Sequence, residues 1–397
     1  MKNNRYCAFF LAIILFFSVF SVSCTNNINE PTYNQSQVFG MGDVFLGTNE
    51  SLEDIVKRID LMKDLGIKSH RFWFRAGSNG YDNKESFFSL KDNQLVINND
   101  FVQRVNFVLD KLLEAGVEHI TFDVCWMYGM TANGQYKYYG AGLPLIDSGD
   151  YLPYMESIKY QFSIISKTFP EIEYFEMGNE MNILELRDAD DNILPYTELA
   201  KLVTDFSYYA MQGIKEGNPN AKGVLNGLAE TSFRYDEAFK KVRYSTKGGA
   251  EVVAEFIDLI YQYIESEEYP SCASIKSKRI EDYFDVLAWH PYGAYSSEVW
   301  KDYNDTVYAT VKKHNDNGRP VFCTEFGFQR NDQSRGEEYV NIYSNISETP
   351  YIEVVHIFIL SNVVWNEENF YLTKRDENGD YILSEAYIEL KNRFGNM

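Results

Sequence analysis

Short apolar runs alternate with longer stretches whose apolar residues recur every three to four positions, from about residue 41 to the C-terminus. The clearest long stretch places Phe101, Val105, Val108, Leu109, Leu112 and Leu113 on one continuous face, which predicts a helix. Gly116 stops it, and 117–124 reads as the following strand. The same pattern predicts strands at 43–46, 67–74, 172–177, 223–228, 284–289, 320–324 and 354–360. Helices are predicted at 51–65, 151–167, 196–215, 297–315, 336–347 and 384–393. Ser51 suits a helix N-cap, with Asp54 adding a carboxylate in the first turn.

Strands separated by helices pair in parallel, so eight such units over about 350 residues predict a single closed (β/α)8 barrel of the TIM type. An open, doubly wound sheet is the competing architecture. It is disfavoured because no Gly-x-Gly-x-x-Gly or Walker A pattern follows the first strand. Extended loops are expected after strands two, three and five. Segment 75–99 carries a hairpin pattern, and 229–282 carries a helix of its own around 251–265. Loops at the C-terminal ends of barrel strands carry function, so these excursions should wall a cleft.

The first residues have a different character. Lys2 and Arg5 precede an apolar run over 8–20, too short to span a bilayer comfortably. Ser21-Val22-Ser23-Cys24 then resembles the lipobox of bacterial lipoproteins. The resemblance implies a signal peptide over 1–23 and lipidation of Cys24. A flexible tether would follow, with 24–40 as the lipidated cysteine and spacer and 41–397 as the catalytic domain. An ordinary secretory signal is the alternative. Thr25 and Asn26 do not suggest inner-membrane retention, so an outer-membrane lipoprotein facing periplasm or cell surface is expected.

Composition narrows the partners. The chain has 58 Asp+Glu against 37 Lys+Arg, a formal charge of −21, which disfavours nucleic acid and electrostatic docking on anionic lipid. Membrane contact is then expected through the lipid anchor alone. Cys125, Cys272 and Cys323 remain in the mature chain, odd in number and without CxxC spacing, so buried thiols are expected rather than a disulfide framework or zinc knot. Five histidines show no metal-ligand spacing, and neither a metal nor a cofactor is expected.

The chemistry concentrates at two strand ends. Strand four runs into Glu176-Met177-Gly178-Asn179-Glu180, and strand seven into Thr324-Glu325-Phe326-Gly327. A carboxylate at the edge of an apolar strand is costly unless it is neutralised or paired. Two facing across a barrel mouth would have their pKa values pushed apart, leaving one acid and one anion, as glycosidic cleavage requires. Glu176 shares the phase of Gly178 and Glu180 and points into the barrel if they do, where Arg71 is a candidate partner.

Gly178-Asn179-Glu180 with Thr324-Glu325-Phe326-Gly327 resembles clan A of the glycoside hydrolases, (β/α)8 retaining enzymes. The resemblance implies that Glu180 is the acid/base and Glu325 the nucleophile, with Asn179 on the sugar 2-hydroxyl. Arg71 on strand two matches the clan's arginine beside the nucleophile. His290 and Tyr292, in Trp289-His290-Pro291-Tyr292, match its His-x-Tyr after strand six.

Two departures stand out. Strand three carries no sugar-contacting histidine, and Trp126 is the candidate stacking platform there instead. Strand eight lacks the usual terminal tryptophan. Trp365 follows Leu360 by five residues and either floors the reacting subsite or packs under the last loop. Tyr128, Tyr136, Tyr138 and Tyr139 on a glycine-bearing loop suit either sugar stacking or loop packing.

The expected function is hydrolysis of β-linked oligo- or polysaccharides by double displacement. A non-catalytic glycan-binding lipoprotein and a transglycosylase are the alternatives. Sugar, linkage, mode of attack and oligomeric state are not fixed by the sequence.

Overall fold

The computed structural model describes residues 37–43, 50–77, 85–138, 142–188, 190–230, 233–236, 241–244, 249–266, 277–292, 294, 296–328, 332–361 and 370–394. Cys24, Tyr139, Cys272 and Trp365 lie outside the described residues, as does the signal segment. Eight parallel strands close into a barrel: β1 Val38–Asp43, β2 Ser69–Arg75, β3 His119–Cys125, β4 Tyr174–Asn179, β5 Lys222–Ala229, β6 Leu287–His290, β7 Val321–Phe326 and β8 Ile352–Ile357. Each pairs with its chain neighbour, and β8 closes on β1 through Val38 opposite Val354.

Eight helices follow the strands in turn: α1 Leu52–Asp64, α2 Asn99–Glu114, α3 Tyr151–Thr168, α4 Tyr196–Gly217, α5 Ala250–Glu265, α6 Ser297–Lys313, α7 Gln333–Ser344 and α8 Glu385–Phe394. The helix expected inside a long excursion after strand five is therefore the barrel's own fifth helix. Side-chain caps set several starts. Ser51 accepts from the Asp54 amide at 3.1 Å, and Asn98 from that of Phe101 at 3.3 Å. Asp332 accepts from the Arg335 amide at 3.1 Å, which starts α7 three residues before the sequence pattern suggested. Gly336 is interior to that helix because α8 crosses it there: a Cβ would come within 2.7 Å of Glu389 Cβ.

The first strand starts earlier than expected. Val38–Asp43 belongs to the sheet, so the tether assigned to 24–40 overlaps it. Gly40 falls within the expected spacer, yet its lack of a side chain is what admits its neighbours. A Cβ on Gly40 would lie 2.5 Å from Cδ2 of His356 and 2.8 Å from the Ser69 carbonyl.

Two cores follow from strand alternation. Outward-facing Phe72, Phe74, Phe122 and Phe175 pack with Phe169 beneath the helices, with Phe74 and Phe122 stacked at 4.9 Å. Inside the barrel, Tyr174, Val224, Val286, Ala288, Phe322 and Val354 form an apolar plug. Above that plug the interior turns polar.

Among the described residues, four hairpins follow strand C-terminal ends. They are Phe88–Lys91 with Gln94–Ile97 after β2, and Tyr128–Met130 with Tyr136–Tyr138 after β3. Phe233–Asp236 with Lys241–Tyr244 follows β5, and Thr373–Arg375 with Tyr381–Leu383 follows β8. The first turns through Asp92 and Asn93, both at positive φ (49° and 59°), as a two-residue hairpin requires. Asn93 then joins the second hairpin, donating to the Gly134 carbonyl at 2.9 Å and accepting from the Tyr136 amide at 2.7 Å.

Candidate active site

Arg71 is fully buried above the apolar plug and organises the polar layer. Its Nε donates to Glu176 Oε2 at 2.6 Å, Nη1 to Glu325 Oε1 at 2.6 Å, and Nη2 to Asn179 Oδ1 at 2.8 Å. Asp123 Oδ2 lies 2.9 Å from Nη2 without the alignment of a hydrogen bond. One guanidinium thus faces three carboxyl groups. Burial, opposed by Arg71 and reinforced by Glu176, pushes the Asp123 carboxyl up to about 7. Its other oxygen accepts from the Cys125 thiol at 3.0 Å.

Glu176 is the deep anchor. Oε1 accepts from the Gly227 amide at 2.8 Å and the Thr324 hydroxyl at 2.9 Å, while Oε2 takes the Arg71 bond. Three donors satisfy a charge buried among strands. Only glycine fits at 227, since a Cβ there would sit 2.1 Å from His290 Nε2 and 2.5 Å from Thr324 Oγ1.

At the end of β4 the chain leaves the strand through two left-handed residues, Gly178 (φ 86°) and Glu180 (φ 47°). For Glu180 that conformation costs roughly 1–3 kcal/mol and needs external support. β5 supplies it. The Glu180 amide donates to the Gly227 carbonyl at 3.0 Å, and the Met181 amide to Asn226 Oδ1 at 3.1 Å. Asn182 and Ala229 exchange two bonds of 2.8 Å. This turn brings Asn179 and Glu180 together to the mouth.

Glu325, at the end of β7, is held on both oxygens. Tyr292 donates to Oε2 at 2.7 Å, opposite the Arg71 bond to Oε1. Burial pushes the Glu325 carboxyl up, but His290 and Arg71 charges and the bonds from Tyr292 and Arg71 outweigh it, holding the group below its ordinary value. Burial, with Glu325 beside it, keeps the Tyr292 phenol far above its own, so it stays a donor.

His290 joins the halves. The Thr324 hydroxyl gives its single hydrogen to Glu176, so at 3.0 Å it must accept from His290 Nε2. Nδ1 then faces Glu180 Oε1 at 2.8 Å with one proton between them, on the ring or on the carboxyl. Burial alone would lower the imidazole pKa, but Glu325 and Glu180 raise it overall.

One oxygen each of Glu180 and Glu325, with a His290 nitrogen, lie within 4.8 Å of one another. Such a cluster has the reach to hold a cation. Arg71 and Tyr292 already bond both oxygens of Glu325, however, and His290 is bonded on both nitrogens, so these atoms of the cluster are already engaged within the protein. It offers an anion aimed from one side and a transferable proton from the other.

Comparison with solved structures places the fold among glycosidases. Neither a family model nor a curated sequence relative matches the chain. An exo-β-1,4-mannosidase from Opitutaceae bacterium strain TAV5 superposes with a TM-score of 0.54 at 14% identity, over 91% of this chain and 59% of its own. A GH5_18 protein from Streptomyces cattleya, in complex with GlcNAc, gives 0.57 at 12% identity over 91% and 81%. A β-glucosidase from Exiguobacterium marinum gives 0.57 at 11% identity over 91% and 98%. The fold is that of the glycosidase barrels. The chain spans about three-fifths of the length of the mannosidase.

The structure also brings in residues that the motifs did not single out. Trp73 lies two positions beyond Arg71 on the same face and meets Trp126 edge-to-face at 5.7 Å. Phe358 directly follows β8 and packs on Tyr292 at 6.3 Å, with Phe370 at 5.5 Å from the same ring. Among the described residues, the aromatic wall beside Tyr292 thus includes two phenylalanines, one of them on the connection to the last hairpin. Period-two alternation from Arg71 would have found Trp73, but nothing in the sequence announced Phe370. Tyr128 is buried and Tyr136 packs on the main core, so these two fasten the loop to the barrel.

Proposed function

We propose that the protein is a retaining β-glycosidase acting on β-linked oligo- or polysaccharides. The observation that carries this reading is the approach of Glu180 and Glu325 oxygens to within 4.8 Å. Retaining pairs stand about 5–5.5 Å apart, while inverting pairs leave about 6.5–9.5 Å for a water. The activities named for the mannosidase and the β-glucosidases on the same fold support it.

In the first step the Glu325 carboxylate attacks the anomeric carbon, and the bond to the leaving oxygen breaks. That oxygen takes the proton held between Glu180 and His290. Asn179 donates from Nδ2 to the neighbouring sugar oxygen, because its Oδ1 is occupied by Arg71. In the second step Glu180 takes a proton from water, whose oxygen attacks the same carbon and releases Glu325. Arg71 and Tyr292 receive the carboxylate back in its original bonds. Two inversions return the starting configuration.

The test is hydrolysis of aryl β-glycosides and plant glycans by wild type and Glu325→Gln, with product sizing. Loss of at least about 1000-fold in the variant supports the reading; equal rates overturn it. Product sizing also separates hydrolysis from transglycosylation.

We also propose that Cys24 carries lipid and anchors the domain at the outer membrane. Support comes from the Ser-Val-Ser-Cys sequence alone. Detergent partitioning of wild type and Cys24→Ala tests it, with release of the variant expected.

A further inference from the structure

A cavity of about 200 Å³ opens beside the reacting pair, between the ends of β3 and β4. Its walls include Trp73, Cys125, Trp126, Leu143, Asn179 and Met181. We infer that this cavity receives an acyl group carried on the second carbon of the sugar attacked by Glu325, making 2-acetamido and related acylated glycosides the preferred substrates. The inference rests on the retaining-glycosidase reading and specifies its substrate.

Position is the first argument. Arg71 holds Glu325 through Nη1 and Asn179 through Nη2, two nitrogens of one guanidinium. A sugar with its first carbon at Glu325 therefore turns its second carbon toward Asn179, and the cavity begins at Gly178 and Asn179.

Chemistry is the second. Two indole rings, a leucine and a methionine present mainly apolar surface, which suits an acyl chain better than a bare hydroxyl group and leaves the carbonyl and, in an acetamide, the N–H to be matched. Asn179 can match that carbonyl: its oxygen is taken by Arg71, so its amide hydrogens face the site. The Cys125 thiol does not compete as a nucleophile. It donates to Asp123, and burial with the neighbouring carboxyl holds it far above its ordinary pKa.

Size is the third. An apolar cavity of about 150 Å³ accepts benzene, so this one takes an acetyl group with room for longer chains. The cavity is also built into the catalytic turn. Trp126 adopts a left-handed backbone (φ 56°) that sets its ring across from Trp73, and Met181 belongs to the turn that presents Glu180.

The experiment compares kcat/KM for p-nitrophenyl 2-acetamido-2-deoxy-β-glucoside and p-nitrophenyl β-glucoside. Wild type, Leu143→Trp and the milder Leu143→Phe are measured, with thermal melts to verify folding. A preference of at least about 10-fold for the acetamido substrate is expected, the discrimination one extra buried methyl supports. Filling the cavity should bring the ratio toward one. Equal use of the two substrates, or a ratio unmoved by both fillings, overturns the inference. If Glu325→Gln still abolishes turnover in that case, the glycosidase reading stands without it. Should neither glycoside be cleaved, titration calorimetry with N-acetylglucosamine and with glucose decides. Saturable binding of the first alone, weakened by Leu143→Phe, supports the cavity's assignment, and its absence overturns it.

Discussion

Nη1 of Arg71 stands 2.6 Å from Oε1 of Glu325, and the same side chain reaches Glu176 through Nε. One cation therefore serves a structural anion below and an exposed-facing anion above. Arg71→Leu should leave both uncompensated and cost about 3–5 kcal/mol of stability, read from urea unfolding. Arg71→Lys keeps the charge but cannot reproduce the three-way fork, so a folded protein with at least about 100-fold lower kcat is expected.

Tyr292→Phe removes one of the bonds that hold Glu325 below its ordinary pKa. Losing a donor to the ionised form raises the carboxyl pKa, so the acidic limb of the kcat/KM profile should move to higher pH. A profile whose acidic limb stays in place would show that the phenol does not tune Glu325.

His70 is buried behind the barrel, and burial lowers its pKa from 6.5 to about 3. The unfolded chain binds its proton first, so this residue's contribution is full above about pH 6.5 and is lost as pH falls toward 3. The slope reaches at most about 1.4 kcal/mol per pH unit. Urea midpoints of wild type and His70→Phe between pH 7 and 5 should show a shallower decline in the variant.

Gly227→Ala places a methyl group where His290, Thr324 and Glu176 converge. Overpacking of this kind costs about 1–3 kcal/mol and displaces the polar groups it strikes. Activity should fall further than the thermal midpoint suggests, measured as kcat beside a melt.

Dialysis against EDTA should leave glycoside turnover unchanged. Arg71 and Tyr292, rather than a cation, satisfy Glu325, and a tenfold or greater loss on chelation would contradict that account.

Much of this arrangement was legible in the chain. Helical spacing from Phe101 to Leu113 and the apolar runs before Glu180 and Glu325 marked elements whose burial patterns are strong. Strand phase put Glu176 inside the barrel and suggested Arg71, the partner it has. Other features depend on contacts between distant segments. Gly40 reads as tether because the residue that requires it, His356, comes more than three hundred positions later. Phe358 and Phe370 meet Tyr292 only once the barrel has closed and the last connection has folded back. The left-handed turn at Glu180 leaves no local signature because β5, not the turn's own residues, sustains it.

The shared hydroxyl of Thr324 carries one last implication. By fixing the imidazole's tautomer from the barrel side, it leaves the ring no need to rotate or recruit solvent between the two halves of a turnover. The resting protein already stands in the configuration from which a proton can be returned. On the proposed mechanism, the group that meets the hydrolytic water would then need no rearrangement between the first displacement and the second.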